Sequence, residues 1–217
     1  ASVRILSQAE ARRQLSLPQD ERIVVSLGVI RTNKRLDLLI DAIASAIQRR
    51  NDLRLVIAGK PASVSAEQVV AMLRAAGIEH RATTRFGWLE EDEVGLYLDA
   101  CDACVLPYVA FEAQSGVLMQ ALAHAAPLLV SDGGSLAETV KETGAGLVFR
   151  SDNADALRAG LLKLLGSPAL RRKCATNARK AVRELLDWRL IADATLRTYR
   201  TVCTLRETAG ASLRPKA

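Results

Sequence analysis

Six short apolar or β-branched runs, each closed by a glycine, a proline or a polar turn, alternate along this chain with segments of helical periodicity. The runs are Ile23-Val24-Val25-Ser26-Leu27-Gly28, Leu53 to Ala58, Thr83 to Phe86, Ala103 to Leu106, Pro127 to Val130 and Gly146 to Phe149. A strand with one wet face alternates apolar with polar residues, whereas a strand covered on both faces reads as a continuous apolar run. Between the runs, spacing predicts helices over 36–49, 65–76, 90–100, 115–125 and 135–142. In the first of these, Leu36, Leu39, Ile40, Ile43 and Ile47 share one face. The alternation predicts an α/β fold: a doubly wound, parallel six-stranded sheet with helices on both faces, Rossmann-like in its layering. Three further helices are expected over 153–165, 168–185 and 187–206. Residues 1–19 read as a linker with a short N-terminal helix, 20–206 as one domain, and 207–217 as a disordered tail.

Composition narrows the class. At 217 residues the chain can bury a substantial core, and 49% apolar with 25% charged residues is globular. That excludes a disordered chain, and 13 Gly with 6 Pro exclude a low-complexity architecture. No apolar run approaches the ~20 residues that span a bilayer. Four cysteines without a secretory leader point to free thiols in a reducing, cytoplasmic compartment. The net charge of +6 is uneven: residues 168–217 hold 12 Lys or Arg against 4 Asp or Glu, so this section carries the whole excess. Such a section is either a solvated helix face or a patch for peripheral contact with an anionic membrane. Nucleic acid is not expected, because only Trp188 and Tyr199 lie among these basic residues to stack on bases.

In a doubly wound sheet, ligands bind beyond the C-terminal ends of the strands. After the first strand comes Gly28-Val29-Ile30-Arg31-Thr32-Asn33-Lys34, which is neither a dinucleotide fingerprint nor a Gly-rich phosphate loop. It sets two cations, Arg31 and Lys34, three residues apart, where both could reach a diphosphate. After the fourth strand, Ser115 is a good N-cap for the next helix. The free amides of Gly116 and Val117 then make an anion nest strengthened by the helix dipole. Gln120 lies one turn on from Gly116, and Glu112 stands in the loop just before.

At these residues the chain resembles the retaining, nucleotide-sugar-dependent glycosyltransferases of the GT-B fold (group 1, family 4), and within them the C-terminal donor-binding lobe. That family carries an acidic residue, seven others, then a second acidic residue; the matching stretch here runs from Glu112 to Gln120. Further blocks keep the family's order: Gly28 through Lys34, Leu55-Val56-Ile57-Ala58-Gly59, Phe86-Gly87-Trp88-Leu89, Ala121 through Pro127, Ser131-Asp132, Glu138 and Gly144-Ala145-Gly146-Leu147. The likeness covers residues 20–206. It implies that Glu112 is the catalytic-centre residue that contacts hydroxyls of the transferred sugar. Arg31 and Lys34 would bind the diphosphate, and Ser115, Gly116 and Val117 the distal phosphate. Gln120 would contact the ribose, and Trp88 and Leu89 would lie along the base. No metal and no cofactor are expected, since these fixed positive groups can take a metal's place.

The pattern has departures. Gln120 stands where a second acid is usual, Val29 where an Arg is usual, Ala125 for a common Gly, and Ser135 for the second Gly of a pair. The resemblance also implies an N-terminal acceptor-binding lobe before this chain, and a fragment that binds donor but transfers little alone. The expected partner is a nucleotide sugar, used in glycan, lipopolysaccharide or glycolipid synthesis. A sugar-nucleotide epimerase lobe and a non-catalytic lobe kept for interaction are the alternatives. Cys101-x-x-Cys104 lacks the second pair or the spaced histidines that a zinc site needs, and reads as buried thiols. His124 reads as a packed group rather than a base, and Asp132 as a ligand contact or a turn cap.

Overall fold

A computed structural model describes residues 5–111, 113–184 and 187–212. The chain divides into two compact units, residues 1–179 and 180–217. The first holds a six-stranded sheet: β1 (Arg22–Leu27), β2 (Leu53–Gly59), β3 (Ala82–Phe86), β4 (Ala103–Leu106), β5 (Leu128–Ser131) and β6 (Gly146–Phe149). All neighbours pair in parallel, in the order β3-β2-β1-β4-β5-β6. The expected doubly wound sheet is thus present, and its order reverses between β1 and β4.

The helices of this unit are α1 (Gln8–Gln14), α2 (Leu36–Ile47), α3 (Ala66–Ala75), α4 (Glu91–Ala100), α5 (Gly116–Ala123), α6 (Gly134–Thr143), α7 (Ala154–Gly166) and the body of α8 (Pro168–Glu184). One face of the sheet presents Val24, Leu55, Ile57, Ala103, Val105 and Leu129 to a core closed by α2, α3 and α7. The alternate residues Val25, Cys104, Leu106, Leu128 and Val130 are equally buried on the other face, where α4 and α6 pack against strands. This two-sided burial is why the runs are continuously apolar. Local signals set the helix starts: Ser65 and Gln68 close a reciprocal capping box on α3, and Asn153 caps α7.

The segment ahead of β1 carries the short helix expected there, packed on the sheet unit. Helix α1 packs on α4, and the Arg12 side chain, 4% exposed, is buried beneath it. Its Nε donates to Ala100 O (2.9 Å), its Nη1 to Gln19 O and Glu21 O (both 3.0 Å), and its Nη2 to Asp102 Oδ2 (2.7 Å). The second unit contains the end of α8 and α9 (Trp188–Ser212), so helix continues into the segment expected as a tail. On α9, Leu190, Leu196, Tyr199 and Val202 are exposed. No helix among the described residues is long and apolar enough to cross a membrane.

Ala125 comes just after the end of α5 in the left-handed region, φ 55°, which explains why a glycine is usual there. An L-residue with a Cβ is strained in that conformation by ~1–2 kcal/mol. Ala125→Gly is expected to raise stability by ~0.5–1 kcal/mol, after the extra unfolded-state freedom of glycine is subtracted. A shift of the urea midpoint at constant m-value would report it; no shift or a loss would show that the strain is relieved elsewhere.

Candidate functional site

Between the C-terminal ends of β1 and β4, at the reversal of strand order, lies a cleft of ≈ 460 Å³. Two loops build it. The loop after β1 stays with the sheet, because Ile30 pairs in parallel with Pro61 and Thr32 N donates to Ser63 Oγ (2.9 Å). A short 3-10 turn, Thr32–Lys34, then sets Lys34 Nζ against the Tyr108 ring in the loop after β4. The two loops are tied by Val109 N donating to Asn33 O (2.9 Å), and Tyr108 O is held by the buried Ser131 Oγ (2.6 Å).

Six of the residues expected at the site line this one cleft: Arg31, Lys34, Ser115, Gly116, Val117 and Gln120. The Ser115 hydroxyl caps α5 by accepting from Leu118 N (3.3 Å). That leaves the N–H groups of Gly116 and Val117 without an intrahelical partner, facing the cavity. A Cβ on Gly116 would meet no protein atom within 4 Å, so the glycine leaves open space at the nest. Arg31 is exposed, and its side chain forms no hydrogen bond or ion pair among the described residues. Gln120 is half-buried, and its side chain has no hydrogen-bond partner among the described residues.

Lys34 is the most constrained group. Its Nζ donates to Leu27 O (2.7 Å) and stands 5.1 Å from the centroid of the Tyr108 ring. Gly28 makes room for it: the backbone there has φ 93°, and a Cβ would lie 2.9 Å from Nζ and 3.2 Å from Val117 Cγ2. Burial lowers the Lys34 pKa from 10.5 to about 8, with the Arg31 charge acting in the same direction and the Cys104 sulfur against it. Burial also pushes the Cys104 thiol up to about 12 and raises the Tyr108 phenol, so both are neutral near pH 8.

Sequence reasoning missed Tyr108, Phe111, Asn33 and Gln114, all of which line the cleft. Tyr108 and Phe111 pack edge to face, with centroids 5.2 Å apart. The Pro107-Tyr108 step at a strand end was the only local sign of that wall. Trp88 and Leu89 do not line the cleft. They come after β3, the edge strand, two strand spacings (~10 Å) from β1, and Trp88 is 66% exposed. Glu112 lies outside the described residues. Asp132 is engaged by Ser151, whose N and Oγ donate to it (2.8 and 2.5 Å) and hold its carboxyl below the usual range. His124 Nδ1 pairs with Asp99 Oδ1 (2.8 Å) at the far end of α5. Cys101, Cys104 and Cys174 are buried free thiols, but Cys203 is exposed. Among the described residues no group of three or more His, Cys, Asp or Glu could hold a metal ion.

Known proteins share this architecture. An uncharacterised glycosyltransferase of Methanocaldococcus jannaschii is 27% identical over 189 residues, 87% of this chain and 47% of its own length. Sucrose-phosphate synthase of Thermosynechococcus elongatus superposes with a TM-score of 0.78 at 26% identity, over 93% of this chain and 50% of that one. The Anabaena protein HepE, solved in complex with UDP-glucose, gives 0.76 at 17% identity over 89% of this chain and 52% of that one, a likeness of fold. The chain spans about half the length of the curated relatives it matches. The family described as glycosyl transferases group 1 matches residues 7–181. On that match, which covers most of the chain, the protein belongs to the group 1 glycosyltransferases.

Proposed function

We propose that this chain is the donor-binding lobe of a retaining glycosyltransferase, which moves a hexosyl group from a nucleoside-diphosphate sugar to an acceptor. One observation carries the reading: Arg31, Lys34 and the free N-terminal amides of α5 line a single cleft at the strand-order reversal. As the glycosidic bond breaks, negative charge grows on the departing diphosphate. Groups already fixed and positive stabilise that charge without reorganising. Arg31 and Lys34 take the diphosphate, Ser115, Gly116 and Val117 the distal phosphate, and Gln120 the ribose. Glu112 meets the sugar, and Trp88 and Leu89 flank the base beyond the cleft. With this much fixed charge the lobe works without a divalent metal. The UDP-glucose held by the similarly folded HepE supports a nucleotide sugar as ligand. The acceptor is held by a second, N-terminal lobe, and glycan, lipopolysaccharide or glycolipid synthesis on the cytoplasmic side, with the basic C-terminal section near an anionic membrane, fits the charge pattern.

Calorimetric titration with UDP, GDP and ADP, first without metal and then with Mg²⁺, tests this. Metal-independent binding of one of them is expected; binding of none overturns the reading. The affinity should also depend on pH. The diphosphate prefers the charged Lys34, so binding is at full strength below its free pKa of about 8 and weakens above it. Cys104 and Tyr108 stay neutral over this range, so Lys34 sets the profile. Kd should rise about tenfold from pH 7 to pH 9, and a flat profile would remove Lys34 from the contact.

The free amide of Gln120 favours a second reading, a lobe kept for interaction. An amide offers the ribose one acceptor and one donor, where a carboxylate accepts from both hydroxyls. If donor binding is merely weakened, Gln120→Glu should tighten Kd by about tenfold, the worth of one charge-assisted hydrogen bond. No nucleotide affinity in either form would leave the interaction role.

A further inference from the structure

We propose that Lys34 is a modification site: an acyl phosphate, the mixed anhydride of a carboxylic acid and phosphoric acid, transfers its acyl group to Nζ of Lys34. The consequence, loss of donor binding, rests on the donor-lobe reading above; the chemistry rests on the cleft itself. A solvated lysine is an ammonium ion with no lone pair to attack with. Lys34 is half-buried and has no carboxylate partner among the described residues; its Nζ donates to a carbonyl and faces an aromatic ring. Among the described residues, the groups facing it are Arg31 from its own loop, Cys104 from β4 and Tyr108 from the loop after β4, and none of these is an anion at neutral pH. With a pKa of about 8, roughly a quarter of Lys34 is free amine near pH 7.5.

The same cleft seats the reagent's other end. Nζ and Val117 Cγ2 both border the space left by the missing Cβ of Gly28, 2.9 and 3.2 Å from where it would lie. The amine therefore faces the first turn of α5, where the Gly116 and Val117 amides and nearby Arg31 would hold a phosphoryl group. A phosphoryl group held there presents its attached acyl carbon to the amine. The Nζ lone pair adds to the carbonyl carbon, and the bond from that carbon to the bridging oxygen breaks. Its electron pair leaves with the phosphate, which also carries away the Nζ proton as hydrogen phosphate. The product is a neutral amide where a cation stood, in the position that otherwise takes the diphosphate.

The test treats the chain with acetyl phosphate near pH 7.5 and monitors each lysine by peptide mass mapping. Lys34 should be acetylated about tenfold faster than Lys60 or Lys141, since its larger free-amine fraction outweighs the lower nucleophilicity of a less basic amine. Inorganic pyrophosphate should slow Lys34 alone, and Lys34→Arg should remove the fast site. Equal rates at Lys34 and Lys60, or no protection by pyrophosphate, overturn the proposal. Calorimetry on the same sample separates the two readings. Nucleotide binding without selective acetylation sinks the modification site alone. Selective, pyrophosphate-protected acetylation in a chain that binds no nucleoside diphosphate sustains the site and sinks the donor reading.

Discussion

Replacing Arg31 and Lys34 together by alanine is expected to weaken nucleoside-diphosphate binding by about a hundred- to ten-thousandfold. On the proposed reading each side chain would make a charge-assisted contact worth ~1.5–3 kcal/mol, so the pair would supply ~3–6 kcal/mol of binding. The loss should not reflect unfolding. The Arg31 side chain is exposed and has no protein partner among the described residues, so its removal leaves the fold alone. The Lys34 Nζ donates to Leu27 O and covers the Tyr108 ring, and its charge is already disfavoured by burial. An unchanged denaturation midpoint beside lost calorimetric binding is the expected pattern. Unchanged affinity would mean that the cleft between β1 and β4 is not where the diphosphate sits.

The largest stability effect lies at the other end of the sheet. Asp102 precedes β4, and its carboxylate accepts from Arg12 Nη2 (2.7 Å), Arg22 Nη1 (3.1 Å) and Ile23 N (2.9 Å). Its side chain is 3% exposed, as buried as that of Arg12. Asp102→Ala should cost ~3–5 kcal/mol, because it strands the Arg12 guanidinium in the interior and orphans a buried backbone N–H. That is a large share of the ~5–15 kcal/mol that holds a domain of this size. Arg22→Ala should cost under ~1 kcal/mol, since its side chain is 36% exposed and solvent screens the pair. Urea denaturation separates these. Similar losses for the two variants would mean that burial of the Arg12 pair is not what makes it matter. Nucleotide affinity of the folded Asp102→Ala fraction should be unaltered, because the cluster sits at the opposite strand ends from the cleft.

The contrast between these two sites shows what a linear sequence carries. Ser115 was legible as a cap because its hydroxyl bonds an amide three residues ahead. Arg31 and Lys34 were legible because both come directly after a strand, and strand ends are where a doubly wound sheet binds ligands. Tyr108 was not legible: its importance comes from lying under a lysine 74 positions earlier in the chain. Arg12 and Asp102 are 90 residues apart, and nothing near either announces the other. The placement of Trp88 outside the cleft results from β3 being at the edge, and no local pattern encodes strand order.

The sequence by itself determined the layered α/β class, the six strands, the helices between them and the Ser115 cap of α5. Each of these rests on periodicity or capping, interactions among residues a few positions apart. Tertiary structure alone decided that β1 and β4 are neighbours at the reversal, so that two distant loops share one cleft. It also decided that α1 is clamped by a buried ion cluster and that Lys34 loses its water. Strand order and desolvation arise from packing between segments far apart in the chain. Their energies depend on the atoms that surround a residue in space, and its neighbours along the chain do not set them.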